Sequence, residues 1–413
     1  MNLQDVIDTE SVRARFPGLA GDTALFNNAS GTVVLKGAIE SASKLMRSMP
    51  LPGGSDAKSK ELLQEYINNK KCVSAFLNAS PTEITFGQST TCLFRLLATS
   101  LKPKLNGDCE IICSTLCHEA MTSAWIHLAQ DLGVTIKWWS PDQKDPDDPS
   151  LSLESLKRLL TAKTRIVTCN HVSNVIGTVH PIREVAEAAH SIPGCMLAVD
   201  GVAYVPHRPV DVKTLDVDFY CFSWYKVFGP HMATLYASTR AQDQYMTSIN
   251  HFFIAPTSLD GKLLLGMPSF ELQMMCSPIV HHLQEVVGWE TITKQEALLT
   301  KVVLDYLLSK PLMYRVFGRR SADPSQRVSI ITFEVRACQS GHVVSQINER
   351  NRVRILCGYC LAPRPTWDVL KPVSSDGLIR VSLVHYNTVA EAEVFCDELD
   401  RVVSQATCAG SAG

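Results

Sequence analysis

The sequence lacks the features that mark membrane proteins and nucleic-acid-binding proteins. It has no run of about 18 apolar residues, so no membrane-spanning helix is expected. The formal net charge is only −2, so no general attraction to nucleic acid or anionic lipid is expected. The first 20 residues carry charges among apolar positions and do not resemble a secretory signal. Together with fourteen cysteines, these features predict reduced thiols and a cytoplasmic location.

What the sequence does contain is a regular alternation of short apolar runs and helical patterns. The 413 residues, 46% of them hydrophobic, are enough for a large core and more than one domain. The alternation predicts an α/β fold with a mainly parallel sheet. The predicted strands are Glu110–Cys113, Thr135–Trp139, Arg165–Asn170, Met196–Val199, Phe219–Ser223 and Ala233–Ala237. The predicted helices are Lys58–Leu77, Thr90–Leu101, Leu153–Thr161 and Ile182–Ala189.

The pattern changes after a long helical stretch, Val286–Leu308, which is predicted to lead into a second domain. Beyond it, Val328–Val335 and Leu378–His385 are predicted strands separated by helices, an arrangement typical of a smaller α+β domain. We therefore divide the chain into three parts. These are an N-terminal segment (1–20) packing on the small domain, a large domain (21–285) and a small C-terminal domain (286–413).

Two apolar runs end in residues that suit one particular cofactor. Met196–Val199 is followed by Asp200, and Phe219–Ser223 is followed by Trp224-Tyr225-Lys226 and a Gly-Pro turn. A lysine amine can form a Schiff base with the aldehyde of pyridoxal phosphate. A carboxylate can keep the pyridine nitrogen protonated, so that the ring accepts electrons from a carbanion. Lys226 alone would be an ordinary surface lysine, but its pairing with Asp200 predicts a pyridoxal phosphate site.

Three further motifs follow apolar runs, at the ends where open α/β sheets bind ligands. Gly87-Gln88-Ser89-Thr90-Thr91 opens a helix whose free N–H groups could hold a phosphate. His118 follows a second strand and could stack on a flat ring. Asn174, in the segment His171–Gly177, follows a third strand and could donate a hydrogen bond to a phenolate oxygen. Each motif alone has an ordinary structural explanation, because helix starts and structural histidines are common.

Together these motifs make the chain resemble the pyridoxal-phosphate-dependent enzymes of fold type I, in the class V aminotransferase or cysteine desulfurase-like family. The resembling segments run from Phe26–Gly31 to Val381–Thr388. The resemblance implies a large cofactor domain with a mainly parallel sheet and a smaller α+β C-terminal domain. It also implies pyridoxal 5'-phosphate as cofactor, an amino-acid substrate and a homodimer with shared active sites.

Carried over residue by residue, the resemblance implies a role for each matching position. Lys226 would carry the cofactor as an aldimine and would act in catalysis together with His118 and Asp200. Arg380 would hold the substrate carboxylate, a task that suits a planar bidentate cation, and Asn28 would also bind substrate. The residues implied to contact the cofactor are Gln88, Ser89, His118, Asn174, Asp200, Ser223, Tyr225, Lys226 and Met267.

The chain departs from the family pattern at four places. Ala203 stands where the family usually has glutamine, and Tyr225 stands where it usually has histidine before the lysine. Gly266-Met267 replaces a Gly-Thr pair that reaches the phosphate of the neighbouring subunit, so the backbone N–H remains and the hydroxyl is lost. The loop Arg354–Cys360 lacks the two histidines that precede the cysteine of type II desulfurases. Nothing in this loop predicts a reactive thiolate.

These departures leave three hypotheses about function. The favoured one is a specialised enzyme that makes or breaks a bond at Cα, Cβ or Cγ of an amino acid, similar to loline-type fungal enzymes that close a ring by Mannich chemistry. The second is a cysteine desulfurase or C–S lyase that uses Cys360. The third is an inactive protein that keeps the fold for binding, and the intact Lys226 and Asp200 argue against it. Cys357 and Cys360 form a C-x-x-C pair, but no second pair has matching spacing, so no metal site is predicted.

Overall fold

The computed structural model describes residues 4–48, 54–142, 144–250, 255–336 and 338–410. Its strands are β1 Ala24–Leu25, β2 Ile84–Gly87, β3 Glu110–Ser114, β4 Thr135–Trp139, β5 Thr164–Asn170, β6 Met196–Asp200, β7 Phe219–Ser223, β8 Ala233–Ala237, β9 Tyr314–Phe317, β10 Ile330–Val335, β11 Val353–Arg354, β12 Leu356–Gly358 and β13 Leu378–Ser382. Its α-helices are α1 Thr9–Arg13, α2 Lys36–Ser48, α3 Ala57–Phe76, α4 Thr90–Leu101, α5 Glu119–Leu132, α6 Leu153–Leu159, α7 Ile182–His190, α8 Val212–Leu215, α9 Thr239–Gln244, α10 Leu259–Leu263, α11 Phe270–Gln273, α12 Cys276–His281, α13 Trp289–Leu308, α14 Ser340–Glu349 and α15 Val389–Gly410.

The largest sheet has seven strands in the order β2-β8-β7-β6-β5-β3-β4. Strands β3 to β7 pair in parallel, and β8 runs antiparallel to both of its neighbours. The connections between the parallel strands contain helices, as βαβ units require. The predicted α/β fold with a large, mainly parallel sheet is therefore confirmed. Within the part of the chain that the structure describes, no helix is long and apolar enough to span a bilayer.

The central strands of this sheet are buried on both faces, which is why they form nearly continuous apolar runs. Every residue of β6 and β7 is buried. In β6, Leu197 and Val199 pack into the core on one face, and Met196 and Ala198 pack into the core on the other. Polar side chains therefore follow only where these strands end. The polar residues at these ends lie at one edge of the sheet.

The C-terminal part contains a second sheet of four antiparallel strands, in the order β12-β13-β10-β9. One face of this sheet packs on α13, α14 and α15 in a core of its own, which includes Leu299, Phe333, Val381 and Phe395. This arrangement is a smaller α+β unit beside the large sheet. It brings Arg380, in the middle of β13, to the side of the large unit.

The N-terminal segment contacts the C-terminal unit along most of its length. Arg13 pairs with Glu391 at 2.8 Å, and β1 pairs in parallel with β11. These contacts continue to Asn28, which lies beyond the boundary predicted at residue 20. The domain limits stay predictions, since the contacts of a segment do not by themselves define a domain.

The predicted helix Val286–Leu308 is interrupted at its start. A π-helical turn, His282–Val287, ends at Gly288, whose φ of +82° is a conformation that glycine adopts without strain, and α13 begins at Trp289. Of the two adjacent histidines His281 and His282 next to this turn, only His281 is exposed. His282 is 1% exposed, and its Nε2 lies 3.0 Å from Nε2 of His385.

Candidate active site

Three predicted site residues lie together at the carboxyl edge of the large sheet. Asp200 is the last residue of β6 and Ser223 is the last residue of β7, and Asp200 is paired in register with Cys221. A single 3₁₀ turn, Trp224–Lys226, follows β7 and carries the lysine. Adjacent parallel strands place their carboxyl ends at the same edge, so this grouping follows from the sheet topology.

Lys226 is buried, with 7% of its surface exposed. Burial lowers the pKa of its amine to about 8, and the positive charge of Arg380 acts in the same direction. The carboxylate of Asp200 opposes this shift. A lysine with this pKa is partly unprotonated near neutral pH, which is the state in which its amine attacks a carbonyl carbon.

Asp200 is also buried, and its Oδ1 accepts a hydrogen bond from the backbone N–H of Val202 at 2.9 Å. Burial raises the pKa of this carboxyl, while the Val202 hydrogen bond and the charge of Lys226 oppose the rise. A buried carboxyl in this setting is stabilised by a further donor or cation at its other oxygen. A protonated ring nitrogen would supply both.

His118 is the N-cap residue of α5, and its Nδ1 accepts a hydrogen bond from the backbone N–H of Ala120 at 2.9 Å. Burial lowers the pKa of His118 to about 3, with further lowering from Lys226 and Arg380. The ring is therefore neutral at physiological pH and carries its proton on Nε2. A neutral ring fixed in this way can stack on a flat cofactor without adding charge to the site.

The predicted phosphate cradle lies at the N-terminus of α4. Ser89 caps this helix by accepting a hydrogen bond from the N–H of Cys92 at 3.1 Å, and the hydroxyl of Thr90 hydrogen-bonds that of Ser223. Ser89, Thr90 and Ser223 all line the same cavity as Lys226. A helix N-terminus with adjacent hydroxyls is a common site for a phosphate. Thr90 was not among the predicted cofactor contacts, although it lies in the motif that was identified.

The structure does not bring Gln88 and Met267 into that cavity. Both line a separate hollow on the neighbouring surface, together with His231 and Leu265. The Gln88 side chain is exposed, and Met267 is 72% exposed. For Met267 the reach of its segment to a second subunit stays a prediction. For Gln88 this position places the side chain away from the Lys226 cavity.

Arg380 and Asn174 are joined to each other and to two loops. Arg380 donates through Nη1 to the carbonyl of Asn174 at 2.8 Å and through Nη2 to Ser30 Oγ at 2.7 Å. The Asn174 amide donates through Nδ2 to the carbonyl of Cys360 at 3.0 Å. Arg380 Nε and Asn174 Oδ1 are buried and have no hydrogen-bond partner within the described residues. Unpaired buried polar atoms at one place are typical of a site built for a ligand.

Asn28 does not line the cavity, and its amide is already used by protein partners. Its Nδ2 donates to the carbonyls of Leu25 and Ser382, each at 2.8 Å, and its Oδ1 accepts from the hydroxyl of Tyr386. Asn28 therefore ties the N-terminal segment to β13, and its amide N–H groups are used by these protein partners. The sequence gives no local signal of this, because Ser382 and Tyr386 lie more than 350 residues away along the chain.

Tyr225 and Ala203 do line the cavity. The Tyr225 ring lies parallel to that of His231, with 5.0 Å between ring centroids. Ala203 leaves open the space that a glutamine would fill. Beside it, the Tyr204 ring stacks on His171 at 3.5 Å, so Tyr204 fixes the start of the loop that carries Asn174.

Cys360 lies next to the site but does not line it. Its side chain packs against an apolar cluster, whereas the next residue, Leu361, lines the cavity and is 60% exposed. Both residues have left-handed backbone, with φ of 52° and 51°. Cys360 is close enough that its thiolate charge would raise the pKa of Lys226, but its carbonyl, held by Asn174, is the group that faces the site.

The residues of this cavity fit pyridoxal phosphate. The cavity has a volume of about 180 Å³, with Asp200, Lys226 and the N-terminus of α4 in its walls. The partly unprotonated amine of Lys226, the neutral ring of His118 and the hydroxyls of Ser89, Thr90 and Ser223 are each matched to a part of that molecule, whereas the unpaired atom of Asn174 is its Oδ1, an acceptor, and its Nδ2 is bonded to the Cys360 carbonyl. Among the described residues, no group of three or more His, Cys, Asp and Glu side chains could hold a metal ion.

The chain is similar to known proteins along most of its length. The family model of class V aminotransferases matches residues 25–395. Over 407 residues, the chain is 69% identical to the cysteine desulfurase-like protein ustD of Aspergillus flavus, a match that covers 98% of this chain and 93% of that protein. It is 53% identical over 398 residues to the nonribosomal peptide synthetase-like enzyme fsqF of Aspergillus fumigatus, covering 95% of this chain and 26% of that protein.

A solved structure shows the same fold at lower identity. The apo cysteine desulfurase from Thermococcus onnurineus NA1 superposes with a TM-score of 0.85 at 23% identity, over 96% of this chain and 98% of that one. At this level of identity the likeness concerns the fold alone. The reaction must be argued from the residues of the cavity.

Proposed function

The chain belongs to the class V aminotransferase family of pyridoxal-phosphate-dependent enzymes, and on that premise we propose that it makes or breaks a carbon–carbon or carbon–nitrogen bond of an α-amino acid. The observation that carries this proposal is the placement of Leu361, and not Cys360, in the wall of the Lys226 cavity. A desulfurase needs a thiolate that reaches the substrate sulfur. Here Cys360 does not line the cavity, and its side chain packs against an apolar cluster.

Bound pyridoxal phosphate supplies an electron sink that stabilises negative charge next to the substrate amine. The residues that would hold it are Lys226, Asp200, His118, Asn174 and a phosphate cradle made by Ser89, Thr90 and Ser223. Asp200 places a negative charge in a buried pocket, where its electrostatic effect is larger than in water. The neutral His118 ring can donate a hydrogen bond through Nε2, because Nδ1 is held by the Ala120 N–H.

The substrate side is provided by Arg380. Two of its nitrogens are held by the Asn174 carbonyl and the Ser30 hydroxyl, and Nε is free for a substrate carboxylate. A guanidinium that is already oriented loses little freedom when it binds a carboxylate. Lys226 in the cavity thus offers a site for the α-amine. Arg380 does not line the cavity, but it is hydrogen-bonded to the lining residue Asn174 and offers a site for the α-carboxylate. This pairing supports an α-amino acid as substrate.

We extend the proposal to biosynthetic chemistry, with Mannich-type ring closure as one form of it. The support is the 53% identity with part of a protein named as a nonribosomal peptide synthetase-like enzyme, since that name refers to peptide biosynthesis; the match covers 26% of that protein. The exposed Leu361 at the cavity mouth leaves room for a substrate larger than cysteine. A cysteine desulfurase remains the second candidate, supported by the printed name of the relative from Aspergillus flavus.

The protein is further proposed to work as a homodimer in the cytoplasm. The support for a dimer is the hollow that contains Gln88 and Met267, where Leu265 and Met267 expose apolar surface beside the phosphate cradle. The support for a reducing compartment is that the cysteines in the described part of the chain are free thiols. Light scattering of the purified enzyme tests the first point, and a fully active monomer would contradict it.

One experiment separates the candidate functions. Sulfide release from cysteine is measured for the wild type, for Cys360→Ala and for the control Cys357→Ala, which removes the other thiol of the same loop. The proposal predicts slow release that neither change alters. Rapid release that is lost in Cys360→Ala and kept in Cys357→Ala would establish a desulfurase instead. In parallel, titration of a panel of amino acids should change the cofactor absorbance, and a protein without cofactor absorbance would support an inactive binding protein.

A further inference from the structure

In the turn that carries Lys226, the backbone N–H group of Phe228 has its hydrogen-bond partner outside the turn. The carbonyl of Trp224 accepts hydrogen bonds from the N–H groups of Val227 at 2.7 Å and Gly229 at 2.9 Å. Between them, Phe228 is fully buried and has a left-handed backbone, with φ of +58°. This conformation is unfavourable for a bulky residue. A contact from another part of the chain must therefore hold Phe228 and satisfy its N–H group.

That contact comes from the N-terminal segment. The hydroxyl of Thr32 accepts from the N–H of Phe228 at 2.7 Å and donates to the carbonyl of Tyr225 at 3.2 Å. The backbone N–H of Thr32 donates to the same carbonyl at 3.0 Å, and the N–H of Leu35 donates to the carbonyl of Phe228 at 2.9 Å. Residues on both sides of Lys226 are thus fixed by one short segment, Ser30–Leu35, which we call the strap.

The other end of the strap holds the second functional group. Ser30 Oγ accepts from Arg380 Nη2 at 2.7 Å and donates to Asn27 Oδ1, also at 2.7 Å. Only two positions therefore separate the residue that orients Arg380 from the one that brackets Lys226. A single rigid segment consequently sets the spacing between the amine and the guanidinium.

We propose that the strap is a positioning element of the active site, in which Thr32 fixes the turn that aims Lys226 and Ser30 fixes the orientation of Arg380. The Thr32 part stands on the backbone geometry alone. The Ser30 part rests on the proposed function, because it assumes that Arg380 binds a substrate carboxylate. Neither residue touches the reacting atoms in this account, and each acts through the group that it holds.

Only a hydroxyl, such as that of Thr32, can accept a hydrogen bond from the N–H of Phe228 and donate one to the carbonyl of Tyr225 at the same time. Without it, the Phe228 N–H loses its partner and the strained turn relaxes. The amine of Lys226 would then leave its buried position and its fixed distances to charged groups. The titratable groups whose charges act on Lys226 or respond to it are Asp200, Arg380, Cys360 and His118.

The test for Thr32 uses the holoenzyme and compares Thr32→Val, Thr32→Ala and Thr32→Ser. The readouts are the pH midpoint of the visible cofactor absorption band and amide hydrogen exchange of residues 224–232. Removing the hydroxyl should raise the midpoint by about half a pH unit or more, because a looser turn favours the charged form. It should also speed exchange at least about tenfold. Thr32→Ser should behave as the wild type.

A matched control is Thr300→Val, which removes a buried hydroxyl that donates to Ser329 Oγ at 2.9 Å within the C-terminal unit. It should change neither readout. If Thr32→Val is too unstable to purify, Thr32→Ala removes the same hydroxyl with less bulk. A wild-type midpoint and wild-type exchange in whichever hydroxyl-free variant is obtained would overturn the role of Thr32.

The test for Ser30 follows the absorbance change while amino acids are added. Ser30→Ala should raise the apparent Kd about threefold to tenfold and leave the pH midpoint unchanged, since one charge-assisted hydrogen bond is lost. Unchanged affinity in Ser30→Ala together with weakened affinity in Arg380→Lys would overturn the role of Ser30 and leave the proposed function standing. Unchanged affinity in both variants would reject the carboxylate role of Arg380 as well, whereas the Thr32 test does not depend on substrate.

Discussion

The two walls of the Lys226 cavity differ in how they are built. One wall consists of strand ends, where Asp200, Ser223 and Lys226 are buried and follow directly from β6 and β7. The other wall is the loop around Leu361, which is largely exposed and whose backbone is left-handed at two successive residues. The difference teaches that the residues proposed to hold the cofactor lie in a buried part of the fold. On the proposed function, the choice of reaction would depend on a loop that can change without disturbing the sheet.

The strand-end wall should show the largest effect, at Lys226. We expect Lys226→Ala to lose turnover completely, because no other group near the cofactor can replace a buried, partly unprotonated amine. Borohydride reduction of the wild type followed by peptide mapping should place the label on Lys226. Lys213→Ala is the control, since Lys213 is paired with Glu83 outside the cavity. A label on any other lysine would show that Lys226 does not carry the cofactor.

Asp200 should come next. Asp200→Ala is expected to lower turnover by about 100- to 1000-fold while leaving cofactor bound, because a buried charge is lost and the phosphate cradle is kept. Asp200→Asn should fall in the same range, since it keeps the shape and removes the charge. The measurement is the rate with a responding amino acid beside the cofactor absorbance. Near-normal rates in Asp200→Ala would show that the strand ends do not supply the electrostatic effect.

The burial of Lys226 should also be visible in stability. Its pKa is about 8 in the folded protein and about 10.5 when the chain is unfolded, so at pH values below 8 both states are protonated and the folded state bears the full penalty. The penalty is relieved as pH rises from 8 to 10.5. In cofactor-free protein, Lys226→Met should therefore add on the order of 3 kcal/mol at pH 7 and much less near pH 10.5. Thermal unfolding of both proteins across this range measures it, and a difference that does not vary with pH would contradict the shift.

The smallest effect is expected on a surface loop. Met267→Thr introduces a hydroxyl at the position that would face the partner subunit in the proposed homodimer, and one added hydrogen bond to a phosphate is worth about 1 kcal/mol. Cofactor release should slow by about twofold to fivefold in the dimer. Met267→Ala provides the control, because it removes the side chain without adding a donor. Equal release rates in the two variants would show that this loop does not reach the cofactor.

The sequence was sufficient for the parts of the site that lie on strands. The runs that became β4, β7 and β8 were predicted with their observed limits. Every residue of β7 and β8 is buried, and strands buried on both faces are continuously apolar and end where polarity returns. Asp200 and Lys226 followed from the ends of such strands. Pattern reasoning was therefore reliable where one local property, apolar periodicity, decides the structure.

It was insufficient where the decisive contact joins distant residues. The amide of Asn28 donates to the carbonyl of Ser382 on β13, and buried His282 contacts His385. Neither contact leaves a signal in the local sequence. Gly288 interrupts the predicted long helix because of its positive φ, although glycine inside a helical pattern is often tolerated. Thr32, which brackets the Lys226 turn, lies outside every motif, because its role exists only after folding.

In the large sheet, strand β8 runs antiparallel to both of its neighbours, and this affects when the candidate site can form during synthesis. Strand β2 leads directly into the phosphate cradle, and its partner in the sheet is β8, about 150 residues later in the chain. Contacts at such separation close late, because a long loop must be ordered first. On the ribosome, the cradle therefore cannot assemble until β8 has emerged, well after Asp200 has been synthesised. Binding of the cofactor phosphate would therefore show that the large sheet has formed. A chain truncated before residue 233 should contain Lys226 but lack a formed site for the phosphate.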